Sequence, residues 1–174
     1  MENKILKLFE ISVYFTVNKL YRTEFLIKNN IRYMENYIYE DVPFWVQVVI
    51  NAKKVSLINK PLYNVRINAT STTKVNYHTD FHYKSFIKAI EKSFEYTKKS
   101  RYNDNELYAL YKYYLKKFQV YRDKRTPKNL KKDFTKEFLK QMSQTNLTCN
   151  MPNKLMKYSY KYKIFKKEKY KLFN

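Results

Sequence analysis

The sequence predicts an α/β fold, with short strands and helices in the first part of the chain and helices in the rest. Apolar residues alternate with polar ones at 17–22 and 62–67, which is the spacing of half-buried strands. Between them, the apolar residues of 42–52 follow helical spacing, and from residue 80 they recur three and four positions apart. A chain of 174 residues with 44% hydrophobic residues can bury the core of one domain.

In the first part of the chain, several short elements are predicted before residue 68. Residues 3–15 combine helical and strand-like spacing, so no single element is assigned there. Thr23 can cap a short helix, and Asn29-Asn30 can end it because Asn tolerates the left-handed conformation. In order, the predicted elements are a strand at 17–22, a helix at 24–29, an extended piece at 31–33, a helix ending near Ala52, and strands at 55–58 and 62–67.

After a polar loop at 69–73, three helices are predicted. Thr79 or Asp80 can cap the first, Asp104 can cap the second, and Thr126-Pro127 favours the start of the third. Their apolar faces are Phe81, Ile87, Ile90 and Phe94 in the first; Leu107, Tyr111, Tyr114 and Phe118 in the second; and Phe134, Phe138, Leu139 and Met142 in the third. His78 and His82 straddle the start of the first helix, so we interpret them as a surface pair and not as metal ligands.

Composition excludes several kinds of site. The chain has no Gly, so it contains neither a P-loop nor a dinucleotide-binding fingerprint. Its single Cys, Cys149, excludes an intramolecular disulfide and a Cys-based metal site. No cleavable signal pattern and no apolar run long enough to span a membrane are present, which favours a cytoplasmic location, with peripheral contact to the inner membrane face.

The positive charge is concentrated after residue 60. Residues 1–60 carry 9 basic and 6 acidic side chains, whereas 61–174 carry 27 basic and 9 acidic ones, out of a net +21. Such a charge favours polyanionic partners. The tail at 151–174 interleaves Lys with Tyr and Phe, which suits an anionic membrane surface, a nucleic acid, or a solvated tail without a partner.

Glu40 and Asp41 form a carboxylate pair between an aromatic run and the helix at 42–52. Such a pair can provide acid–base chemistry. It can equally mark a helix start, because Asp is a good N-cap and complements the helix dipole. The two roles are compatible. Trp45, Val48 and Val49, which follow, are more simply explained as core than as a sugar platform.

Five segments, in this order and spacing, resemble the second half of a family 2 glycosyltransferase core. They are Val17–Leu26, Asn30–Tyr33, Tyr39–Phe44, Ala52–Val55, and Lys60–Tyr63 with Arg66 and Ser71-Thr72-Thr73. The resemblance covers about a third of the chain. It implies a partial GT-A-like core followed by an α-helical C-terminal region. The expected divisions are the acceptor-side half of the core at 1–75, a helical region at 76–150 and the basic tail at 151–174.

The resemblance also implies an activity. Members transfer a sugar, mostly with inversion, from a nucleotide-diphosphate sugar to a glycan or lipid-linked acceptor, using a divalent metal such as Mg or Mn. Many build surface polysaccharide. By this resemblance Asp41 is the catalytic base, and Glu40, Lys19, Arg22, Tyr63 and Arg66 are candidates for binding acceptor or phosphate.

One motif of the family is missing. No Asp-x-Asp, which binds metal and diphosphate in the family, occurs in this sequence, so no metal ligand is assigned. Met1 aligns inside the family's core, and the sequence therefore predicts a truncated hexosyltransferase-like chain that is inactive or weak alone. The alternative is a noncatalytic basic protein that binds nucleic acid or an anionic membrane surface.

Overall fold

A computed structural model describes residues 14–67, 79–100, 102, 120–124 and 126–143 of the chain. Within these ranges the α-helices are α1 (Thr23–Lys28), α2 (Asp41–Asn51), α3 (Asp80–Lys98) and α4 (Lys131–Ser143), with 3-10 turns at Thr16–Asn18 and Lys128–Leu130. Residues 120–124 are also helical. Helix α3 packs against both α2 and α4.

The predicted α/β fold is wrong for the described residues, which are mainly α-helical and contain no strand. The predicted strand at 17–22 is a 3-10 turn followed by extended chain, and the predicted strands at 55–58 and 62–67 are exposed and unpaired. Alternating apolar residues favour a strand, but a strand is stable only when it pairs in a sheet. The described residues therefore provide no GT-A-like sheet.

Helix α1 begins and ends one residue earlier than predicted, and a left-handed Asn follows it, as predicted. Asn30 adopts φ 48°, the left-handed conformation that Asn tolerates. Its start differs, because Arg22 and not Thr23 occupies the N-cap position and no side chain caps the helix there. The backbone N–H of Ile31 then donates to the carbonyl of Leu26, which turns the chain back towards the core.

Helix α2 confirms the predicted helix and forms the centre of the core. Every residue from Val42 to Ile50 is buried, so the helix is enclosed on all sides. Trp45, Val48 and Val49 are confirmed as core residues. Gln47 is a buried polar residue, and its amide donates to the carbonyl oxygen of Arg32 at 2.9 Å. This bond fixes the chain before α2 to the helix.

Helix α3 begins after Thr79, one of the two residues predicted to cap it. The hydroxyl of Thr79 accepts a hydrogen bond from the backbone N–H of His82 at 3.2 Å. Three of the predicted apolar residues, Ile87, Ile90 and Phe94, are buried, but the fourth, Phe81, is 47% exposed. The prediction that His82 lies on the surface is wrong, since its side chain is buried; His78 lies outside the described residues.

Helix α4 begins later than predicted. Pro127 precedes a 3-10 turn, and the α-helix starts at Lys131. Phe134 is completely buried, as predicted, and its ring packs edge-on against Tyr83 with centroids 5.3 Å apart. The helix predicted after Asp104, the loop at 69–73 and the tail at 151–174 lie outside the described residues, as do the side chains of 138, 139 and 142.

Candidate functional site

The candidate site is built around the start of α2. Asp41 is the first residue of this helix and lies in its first turn, where a carboxylate complements the helix dipole. The predicted N-cap role of Asp41 is wrong in position, because Glu40 occupies the N-cap, with a helical backbone and no side-chain capping bond. The side chains of both residues are half-buried.

Lys19 and Asp41, two residues predicted for one site, interact in the structure. The Lys19 ammonium lies 4.6 Å from the centroid of the Trp45 ring. It also donates to the Phe15 carbonyl at 2.6 Å and to Asn18 Oδ1 at 2.7 Å. Burial lowers the pKa of Lys19, and the charge of Asp41 partly opposes this shift. Lys19 is therefore packed over the buried Trp45 ring, and the charge of Asp41 is near enough to act on its pKa.

An aromatic cluster includes Phe44, which follows Asp41 by three residues on α2. The Phe44 ring is stacked on Tyr33, with centroids 4.1 Å apart and an interplanar angle of 4°. Tyr21 meets the same ring edge-on at 5.4 Å. Tyr33 is 48% exposed, so one face of this cluster reaches solvent. No role was assigned to Tyr21 or Tyr33 from the sequence. Both lie in segments that resemble the glycosyltransferase family, and this resemblance is the one feature of the sequence that could have suggested a role for them.

The turn that leads into the site has an unusual backbone. Tyr39 adopts φ 67°, a left-handed conformation that is rare for a bulky residue. Its ring is nonetheless buried, and its hydroxyl lies 2.6 Å from Nε2 and 3.0 Å from Nδ1 of His82 on α3. Tyr121 contacts the Tyr39 ring edge-on at 5.1 Å. Packing across α3 therefore holds the residue immediately before Glu40-Asp41 in this conformation.

The other predicted site residues are exposed. Arg22 lies at the start of α1, and Tyr63 and Arg66 lie in the irregular chain after α2. No contact among the described residues connects Tyr63 or Arg66 with Asp41. Their assignment to acceptor or phosphate binding stays a prediction.

The described residues do not provide a metal site. Within the parts of the chain that the structure describes, no three His, Cys, Asp or Glu side chains converge so that they could hold an ion. Glu40 and Asp41 are adjacent carboxylates, but a third ligand is missing from their surroundings there. We therefore assign no step to a metal. Likewise, none of the described helices is long and apolar enough to cross a membrane.

Comparison with known proteins gives one short match. Over 46 residues, 26% of the chain, the sequence is 44% identical to a cholesterol galactosyltransferase of Borreliella burgdorferi. The relationship is to a glycosyltransferase. The match spans only 13% of that protein's length. No family model and no solved structure matches the chain, and the narrower assignment to family 2 and a GT-A type stays a prediction.

Proposed function

We propose that this chain contributes the acceptor side of a glycosyltransferase, with Asp41 as the general base. The observation that carries the proposal is the 46-residue similarity to a galactosyltransferase. Two observations at the start of α2 support it. Asp41 is a half-buried carboxylate whose charge acts on the pKa of Lys19, and Phe44 of the same helix stacks on the partly exposed Tyr33. These features suit the binding and deprotonation of a hydroxyl.

In the proposed reaction, Asp41 accepts the proton of the acceptor hydroxyl while that oxygen attacks the anomeric carbon of the donor. A new carbon–oxygen bond forms, and the bond from the anomeric carbon to the diphosphate oxygen breaks. The nucleotide diphosphate leaves with the electron pair of that bond. Lys19 is assigned the role of offsetting the carboxylate charge, because the charge of Asp41 acts on the pKa of Lys19. The family resemblance implies a divalent ion as well, but its ligands are not found among the described residues and no step is assigned to it.

The acceptor class follows from the relative and from the aromatic cluster. The relative is named for galactosyl transfer to cholesterol. In this chain, Tyr33 presents an aromatic surface that is half exposed and stacked on Phe44. We infer an acceptor whose hydroxyl is carried on an apolar ring system, with one face of that system packing on Tyr33.

The test uses the purified chain with a labelled nucleotide-diphosphate galactose, Mn and cholesterol in detergent, and measures both transfer and donor hydrolysis. Asp41→Asn should abolish the transfer seen with the wild type, and Glu35→Gln, which removes an exposed carboxylate nearby, should not. Full activity of Asp41→Asn would contradict the assignment of the base. If the wild type shows no transfer, cholesterol binding is measured instead. Equal cholesterol binding by the wild type and Tyr33→Ala would contradict the acceptor site.

A second candidate function is nonspecific nucleic-acid binding. The observation in its favour is the excess of 27 basic over 9 acidic side chains after residue 60. Binding through phosphates should weaken steeply as salt rises, because each contact releases counterions. A titration of single-stranded RNA at several salt concentrations measures this slope, and a shallow slope would exclude this function.

A further inference from the structure

The chain after α2 has a surface on which the proposed role of Asp41 as the base does not depend. All fifteen residues from 53 to 67 are exposed, and we call them the exposed segment. Most of their large side chains are apolar, and their exposed fractions are high: Val55 50%, Leu57 80%, Ile58 66%, Leu62 73%, Tyr63 53%, Val65 78% and Ile67 91%. Single exposed apolar residues are ordinary, but several of them within one short segment are typical of an interaction surface.

The charges of the exposed segment have one sign. It carries Lys53, Lys54, Lys60 and Arg66, and no acidic residue occurs anywhere from Val42 to Thr79. Protein surfaces ordinarily mix both signs. Here cations alternate with apolar side chains along one stretch of chain. A partner that satisfies both must offer apolar material beside negative charge.

A lipid bilayer with anionic headgroups has both properties at its surface. Apolar side chains enter the boundary between headgroups and acyl chains, and Lys and Arg remain at the level of the phosphates. Nucleic acid would pair with the cations but would gain little from exposed Leu and Ile side chains. The irregular backbone of this segment needs no internal hydrogen bonds at this depth, because the interface is hydrated.

We propose that the exposed segment, residues 53–67, is a docking surface for an anionic lipid bilayer. Leu57, Ile58, Leu62 and Val65 enter the interface, and Lys53, Lys54 and Lys60 bind the headgroups. This role is independent of the chemistry of Asp41. Lipid binding by variants of the exposed segment therefore tests the docking surface. Sugar transfer by Asp41→Asn tests the proposed reaction separately.

The first experiment separates local from overall charge. The full chain is floated with vesicles of phosphatidylcholine alone and of phosphatidylcholine mixed with phosphatidylglycerol. One variant changes Lys53, Lys54 and Lys60 to Gln; the matched control changes three exposed lysines elsewhere, Lys128, Lys132 and Lys136, to Gln. The first variant should bind the anionic vesicles at least about tenfold more weakly than wild type, and the control within about threefold.

The second experiment tests the apolar contribution. The double variant Leu57→Ser and Leu62→Ser should lose roughly tenfold or more in binding to the anionic vesicles. Leu20→Ser is the matched control, because Leu20 is 97% exposed but lies outside the segment. In Leu57→Trp, the added Trp should shift its emission maximum to shorter wavelength when these vesicles are present. The wild type, whose single Trp is Trp45, gives the reference spectrum. Lipids brominated on the acyl chain should quench the emission of the added Trp.

Three outcomes would overturn the proposal. Equal losses in the two lysine variants would show attraction by overall charge alone. An unshifted, unquenched Trp at position 57 would show that the segment stays in water. The third outcome combines two results: the wild type binds no vesicles, and it self-associates in a way that the Leu57 and Leu62 substitutions abolish. This would show that the surface contacts another polypeptide. Melting monitored by circular dichroism confirms that each variant is folded.

Discussion

The hydroxyl of Tyr39 lies 2.6 Å from Nε2 of His82, and this contact joins the turn before α2 to the first turn of α3. Both side chains are buried. The two residues are 43 positions apart in the sequence, so the contact depends on how the helices pack. It restrains the residue that precedes Glu40-Asp41, and it satisfies a buried imidazole that would otherwise lose its hydrogen bonds to water.

Tyr39→Phe should destabilise the chain by about 1–3 kcal/mol, because it removes the hydroxyl and leaves a buried His82 nitrogen without this partner. The aromatic contacts with Phe86 and Tyr121 are kept, so the change isolates the hydrogen bond. Urea denaturation gives the free energy of unfolding. The matched control is Tyr37→Phe, which alters an exposed residue in the same turn. Equal midpoints for the two variants would show that the contact does not contribute to stability.

The sequence predicted the helices well, since their signals are local. The apolar spacing of 42–52, the Thr79 cap and the buried position of Phe134 all come from residues within one element. The predicted strands at 55–58 and 62–67 were wrong, because apolar alternation describes a surface suited to pairing but does not supply the pairing partner. A strand depends on residues elsewhere in the fold.

The site was only partly predictable for a similar reason. The resemblance selected Lys19 and Asp41 together, and in the structure the charge of Asp41 acts on the pKa of Lys19; their roles in a site stay predictions. His82 gave no local signal of burial, because its partner Tyr39 lies on a different element and the nearest motif suggested a surface pair. Likewise, a left-handed Tyr39 cannot be read from sequence, since only Gly, Asn and Asp ordinarily indicate that conformation.

Asn36 provides a test of backbone conformation in the same turn. It adopts φ 63° and its side chain is exposed, so few contacts change when it is replaced. Asn36→Gly should be close to neutral, whereas Asn36→Ala should cost about 1 kcal/mol because Cβ disfavours the left-handed region. Thermal or urea unfolding measures both, with Glu35→Ala as the neighbouring control. If the Ala and Gly variants at position 36 are equally stable, this turn does not hold the left-handed conformation.

Phe134 tests the junction between α3 and α4. Its side chain has no exposed surface, and its ring packs against Tyr83 and Phe86. Phe134→Ala should therefore cost about 3–5 kcal/mol through lost burial and a residual cavity. The matched change Phe81→Ala removes the same side chain from a position that is 47% exposed and should cost about 1 kcal/mol or less. Similar losses at the two positions would contradict the packing of α4 against α3.

Tyr21 tests how burial affects a titrating group beside the candidate site. Burial raises the pKa of Tyr21 above its ordinary value of 10.0, and nearby Tyr33 raises it further. Because the folded-state pKa exceeds the unfolded one, the stabilising contribution is fully present below about pH 10 and is lost as pH rises towards the folded-state pKa. Alkaline unfolding of the wild type should therefore include a contribution from Tyr21.

Tyr21→Phe should remove that contribution. At neutral pH the variant should be as stable as wild type or slightly more so, because the Tyr21 hydroxyl is buried without a hydrogen-bond partner among the described residues. Its edge-on contact with Phe44 is retained. The free energy of unfolding, measured by urea denaturation from neutral pH to above about pH 10, should fall less steeply in the variant than in wild type. Parallel curves would show that the phenol of Tyr21 ionises as easily in the folded chain as in the unfolded one, and so would contradict its burial against Phe44.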